Sequence, residues 1–109
     1  MPETESHSTA IKLGEAVSYQ SNSIVSRSLY KHPKGRLTLF AFDAGQSLSE
    51  HVSPYAAWVQ VVEGELECMI DKKPHRLTEG MIIHFPANVP HAVNAIQASK
   101  MLLMLFPAD

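Results

Sequence analysis

Three histidines sit where an imidazole could do chemistry. His51 lies in "GQSLSEHVSPYAAWVQVVEG" (45–64), His91 follows the turn "PANVP" (86–90), and His84 is set in the apolar run "MIIHFP" (81–86). Imidazole titrates near neutral pH, ligates transition metals through either nitrogen and serves as a general base. A histidine among apolar neighbours, as His84 is, needs a hydrogen-bond partner. Its face is open at this stage: a third pocket histidine, a core or interface histidine bonded to a carbonyl, or a surface one. His7 lies in a polar N-terminal stretch, and His32 and His75 stand beside turn residues, so all three read as exposed. Cys68 is the lone cysteine and cannot form an internal disulfide, which fits a reducing compartment. With no base partner in view, it reads as a small buried side chain rather than a nucleophile.

The elements that must carry these residues are short and strand-like. The chain has 109 residues, enough for one domain with a single core. Residues 1–10, "MPETESHSTA", read as a mobile tail without the apolar run of a signal peptide, and residues 11–109 as the folded domain. "SIVSRSLYK" and "RLTLFAFD" flank the turn "HPKG", where Gly35 is free to take a positive φ. "AAWVQVVE" and "ELECMID" flank Gly64, and "DKKP" is another turn. "MIIHFP", "HAVNAI" and "KMLLMLF" complete the set. Many short strands, with no long amphipathic helix, predict an all-β sandwich or barrel. Phe40, Phe42 and Phe85 are expected in the core. "RLTLFAF" and "MLLMLF" are apolar on both parities, so their second face needs a cover: a subunit interface, or sheet edges folding over one another. The net charge is −2 with histidines neutral, and no Lys/Arg cluster marks a nucleic-acid face. Nothing approaches the apolar length of a membrane span. A cytoplasmic protein is expected.

The chain resembles the cupins, small jelly-roll β-barrels, through two motifs that lie on it without a gap. The first runs Gly, five residues, His, one residue, His, three or four residues, Glu, six residues, Gly. Gly45, His51, Ser53, Ala57 and Gly64 occupy those places. The second runs Gly, five residues, Pro, one residue, Gly, two residues, His, three residues, Asn. Gly80, Pro86 and His91 match it, Asn88 replaces the second glycine, and Ala95 holds the asparagine's place, one after Asn94. The resemblance spans roughly 35–105 and is nearest to the small single-domain RmlC-like barrels of uncharacterised role. It implies a jelly-roll barrel and a homodimer that pairs by packing or exchanging edge strands.

It also implies a mouth lined by the first-motif strand. Residues two apart point to one side of a strand, so His51, Ser53 and Ala57 share a face, and His91 joins them from a neighbouring strand. In the family, three imidazoles and a carboxylate there suit Fe, Ni, Mn or Zn. Here Ser53 and Ala57 remove one imidazole and the carboxylate. His51 and His91 remain as weak metal candidates, with His84 a conceivable third. Glu50 should face away from His51, and Asp43 could reach the rim. Tyr55 and Pro54 lie in the loop after His51, and the ligand pocket is expected to comprise His51, Ser53, Tyr55, Ala57, Val59 and His91. Val61, Leu66 and Ile70 are expected to add apolar lining. Trp58 and Gln60 have the opposite parity and should point outward.

Three functions compete. The first is a metal-free or weakly metal-binding barrel that holds a small molecule. The second is a metal-dependent dioxygenase, decarboxylase or isomerase with an incomplete histidine set. The third is a metal-free histidine acid–base epimerase or isomerase, for which no carboxylate is placed to orient either ring.

Overall fold

A computed structural model describes residues 9–107. The expected tail falls almost wholly outside these residues, as does His7. A short 3-10 turn at Leu13–Glu15 precedes nine strands. These are β1 (Ile24–His32), β2 (Gly35–Phe42), β3 (Ser47–His51), β4 (Ala56–Glu63), β5 (Glu65–Ile70), β6 (Lys73–Thr78), β7 (Ile82–Phe85), β8 (His91–Ala95) and β9 (Ser99–Phe106). They form two antiparallel sheets, ordered β1-β2-β9-β4-β7 and β3-β8-β5-β6. This is the jelly-roll barrel that the motifs imply.

Strand alternation decides what the barrel encloses. Phe42, Val59, Val61, Leu66, Cys68, Val93 and Met101 are buried between the sheets, with Phe40 packed against them. Each such aliphatic or aromatic side chain contributes about 1.5–3 kcal/mol on burial, less for Cys68. Val61 and Leu66 therefore serve as closed core, and neither they nor Ile70 lines the barrel cavity, contrary to expectation. Two strands are absent from the segments read off the sequence, β3 and, the less announced of the two, β6. Its residues "KPHRLT" are exposed except Leu77, so almost no apolar alternation marks it. A tight turn delivers it, with Asp71 and Lys72 both at positive φ (51° and 64°). Gly35, by contrast, opens β2 without a positive φ.

The doubly apolar strands have a local explanation for part of their outer face. Leu39 and Ala41 of β2 are fully buried on that side, under Leu13, Ala16 and Val17 of the chain's own N-terminal segment. Lys100 of β9 fastens the segment. Its ammonium donates to the Gly14 carbonyl (2.5 Å), lies 3.7 Å from a Glu63 carboxylate oxygen, and sits over the Tyr19 ring at 4.7 Å. Tyr19 closes the cluster by donating its hydroxyl to Glu63 (2.6 Å). The rest of this face remains open. Cross-strand register aligns His84, Trp58, Met104, Leu37 and Tyr30 in one uncharged row from β7 to β1.

Two positions of the first motif serve the backbone. Gly64 joins β4 to β5 at φ +90°, and a Cβ there would meet Ser99 Oγ and the Ala98 carbonyl at 2.3 and 2.4 Å. Only a residue without a side chain fits so close an approach. Gly45 also has a positive φ, +83°, but open space around it.

Candidate functional site

His51 reaches the cavity because β3 is irregular. Ser47 pairs with Asn94 and Leu48 with Val93, but His51 pairs with His91, so β3 carries one extra residue. That bulge reverses the parity after Leu48. Leu48 and His51, three apart, consequently face the same cavity. Glu50 is turned outward, exposed, and 3.6 Å from Lys72. The mouth is bordered by the two motif turns. Asn88 takes the left-handed conformation (φ 65°), and its N–H donates to the Ser53 carbonyl at 2.7 Å. Asparagine tolerates that conformation better than most residues, which accounts for its standing where the motif has glycine.

The cavity holds about 90 Å³. A closed apolar void of that size would forgo about 2 kcal/mol of packing, a cost that the open mouth lessens. His51, Ser53, Tyr55, Ala57, Val59 and His91 all line it, together with Leu48, Phe85, Val93, Met101, Leu103 and Leu105. The last three come from alternate residues of β9, whose inward parity was hidden by the apolar run on both faces. Val93 is the inward neighbour of His91 on β8, and Phe85, expected only as core, packs beneath the His91 ring at 4.7 Å. The walls are thus mostly hydrocarbon, and the polar groups gather at one end.

Those polar groups have a defined geometry. His51 Nδ1 lies 2.9 Å from the Ser49 carbonyl and His91 Nδ1 3.2 Å from the Val89 carbonyl. A carbonyl oxygen only accepts, so each Nδ1 must carry hydrogen and donate it. The two Nε2 atoms meet at hydrogen-bond distance, and a hydrogen held between them must come from outside the two neutral Nδ1–H rings. They stand 2.9 Å apart, with the rings edge to face at 4.2 Å. His91 is only 7% exposed, whereas His51 is open to solvent at the mouth.

His84 does not join them. It is exposed on the outer face of the five-stranded sheet, stacked on Trp58 at 4.9 Å. Pairing with Trp58 fixes that outward parity, so the idea of a third pocket histidine is corrected. Trp58 and Gln60 point outward as alternation requires. Asp43 is no rim ligand either: its carboxylate accepts from the N–H groups of Asn22 and Ala44. Cys68 is buried, and burial together with Glu67 pushes its thiol up to about 12, so it supplies no thiolate at neutral pH. Among the described residues, no group of three His, Cys, Asp or Glu could hold a metal ion. Two imidazoles without a carboxylate do not make up the family's metal set.

Burial strips water from His91, and a protonated His51 beside it adds repulsion. Both disfavour a charged His91, and the bond to Val89 only partly opposes them. Its pKa therefore lies below the ordinary 6.5. Below that ordinary value the unfolded chain binds a proton that the folded His91 refuses. Stability should be level above neutrality and should fall as pH drops from 6.5 toward the lowered pKa. Urea unfolding across this window should show that slope, and His91→Gln should flatten it. A slope unchanged by the substitution would contradict the assignment.

The comparisons agree with this fold. The family model described as "Cupin domain" matches residues 38–106. A solved structure of a conserved protein of unknown function from Streptococcus pyogenes is 33% identical, with a TM-score of 0.89 over 94% of this chain and 90% of that one. A cupin 2 conserved barrel domain protein from Leptotrichia buccalis is 39% identical with a TM-score of 0.82, covering 85% of this chain and 45% of that one. A cupin superfamily protein from Desulfitobacterium hafniense shares the fold at 22% identity and a TM-score of 0.88, over 94% of each chain. No curated protein matches the sequence. With both motif turns, the two-sheet barrel and a family match over most of its length, the chain belongs to the cupins.

Proposed function

We propose that this cupin is a binding module that takes a small molecule into its barrel mouth. The observation that carries the reading is the convergence of His51 and His91 Nε2 at one end of a cavity otherwise walled by hydrocarbon. A few convergent polar groups in an apolar pocket are the usual make-up of a small-molecule site. Ser53 and Ala57 stand where the family has an imidazole and a carboxylate, so the charge that would hold a divalent ion is missing. The lone buried Cys68 suits a reducing compartment such as the cytoplasm.

We propose also that a second copy of the chain covers the outer face. The row from His84 to Tyr30 carries no charge, and Ile82 and Phe106 extend it with about half their surface exposed. Seven such side chains offer on the order of 500 Å² per partner, the area that a modest stable dimer needs. An uncharged row can pack against its own copy about a two-fold axis.

Native mass spectrometry of tag-free protein, paired with elemental analysis, tests the first proposal. A non-covalent organic adduct that disappears in His51→Ala, with metal well below one per chain, is the expected result. Stoichiometric metal lost in the same variant would contradict it and favour the metal-dependent enzyme instead. Sedimentation tests the second. A mass of two chains is expected at tens of micromolar, falling to one in Trp58→Glu, and a wild-type mass of one chain would refute the dimer.

A further inference from the structure

The outer face of the five-stranded sheet carries a titratable group that the proposed dimer would cover. This step rests on the dimer reading and adds a control to it. His84 ends the row at β7, exposed, with its ring stacked on Trp58 at 4.9 Å and 29° between the planes. Trp58 is 39% exposed, and Ile82, two residues before His84 on the same face, 51%. A second copy that covers Trp58 therefore also covers the imidazole stacked on it. His51 and His91 line the barrel cavity instead, away from this face.

Charge decides what that covering costs. Imidazole gains its proton between about pH 8 and pH 5. On the free chain a protonated His84 keeps its water and is attracted by the indole face. Under a second copy it loses that water, and burial disfavours the charged form unless a counter-charge meets it. The neighbouring elements bring none. β4 is the strand paired with β7, and its outward residues Ala56, Trp58 and Gln60 are uncharged. The chain after β7, Pro86 to Pro90, is uncharged as well, and Glu79 lies in the turn before β7. A partner presents the same row, which runs through Met104 and Leu37 to Tyr30 without an acid. At that far end His32 stacks on Tyr30 at 6.1 Å, but its Nδ1 accepts the Lys34 N–H at 3.1 Å, a bond that a doubly protonated ring could not accept. Lys34 itself, in the turn there, is a cation.

We propose that His84 is an acid-sensitive gate on the dimer: the open face takes up a proton there, and pairing with a second copy expels one from each chain. By linkage, two protons expelled per dimer let Kd rise by up to roughly a hundredfold per pH unit.

Sedimentation equilibrium at pH 7.5 and 5.5 and constant ionic strength tests the gate, with far-ultraviolet circular dichroism to follow the fold. The wild-type Kd should rise roughly tenfold or more in acid. His84→Gln should pair with the same Kd at both pH values. His84→Lys, charged at both, should pair as weakly at pH 7.5 as the wild type does in acid, a reading that holds even where acid disturbs the fold through His91. An unchanged wild-type Kd in acid, an equal acid response or a loss of pairing in His84→Gln, or wild-type pairing by His84→Lys at pH 7.5 would overturn the gate and leave the dimer standing. A wild-type mass of one chain at pH 7.5 would bring down the dimer reading and the gate with it.

Discussion

Two backbone carbonyls govern what this cavity can do. Those of Ser49 and Val89 take the Nδ1 hydrogens of His51 and His91, and the two Nε2 atoms are left facing each other at 2.9 Å. Neither neutral ring has a hydrogen to place between them. The polar end of the cavity is therefore a coupled pair of rings that calls for a hydrogen between its two Nε2 atoms. Ser53 and Ala57 stand where the family motif has an imidazole and a carboxylate, and both line the cavity. The small side chains at those positions also help leave the space open.

The barrel's contribution is to hold that pair without tying up the Nε2 atoms. The β3 bulge re-aims His51, and the Asn88–Ser53 bond joins the two turns that border the mouth. Phe85 supports the His91 ring from below. On the far side of the five-stranded sheet, Lys100, Glu63 and Tyr19 pin the N-terminal segment over Leu39 and Ala41. Inner and outer faces are thus specified by alternate residues of the same strands, β4 and β9 above all.

Much of this was legible in the residues. The spacing of Gly45, His51 and Gly64, and of Gly80, Pro86 and His91, carried the barrel and the pairing of the two motif histidines. Parity along β4 separated Ala57 and Val59 from Trp58 and Gln60. His84 was not legible, because its run is apolar on both sides and only its partner strand settles its face. The bulge in β3 left no mark in "SLSEH", and β6 left almost none in "KPHRLT", since neither depends on apolar alternation. The cover over Leu39 and Ala41 was likewise invisible, because a short irregular segment has no period to read. The lining from β9 escaped for a related reason: a strand apolar on both faces does not say which one is inside.

The tautomers of two rings decide how the polar end of the cavity is bonded. Long-range nitrogen–proton correlation NMR at neutral pH reads them for His51 and His91 without any ligand. Both rings should report hydrogen on Nδ1 and a bare, unprotonated Nε2. A dominant Nε2–H form in either ring would mean that this ring donates to the other, and the Nδ1 bonds to Ser49 and Val89 on which the pair rests would be wrong.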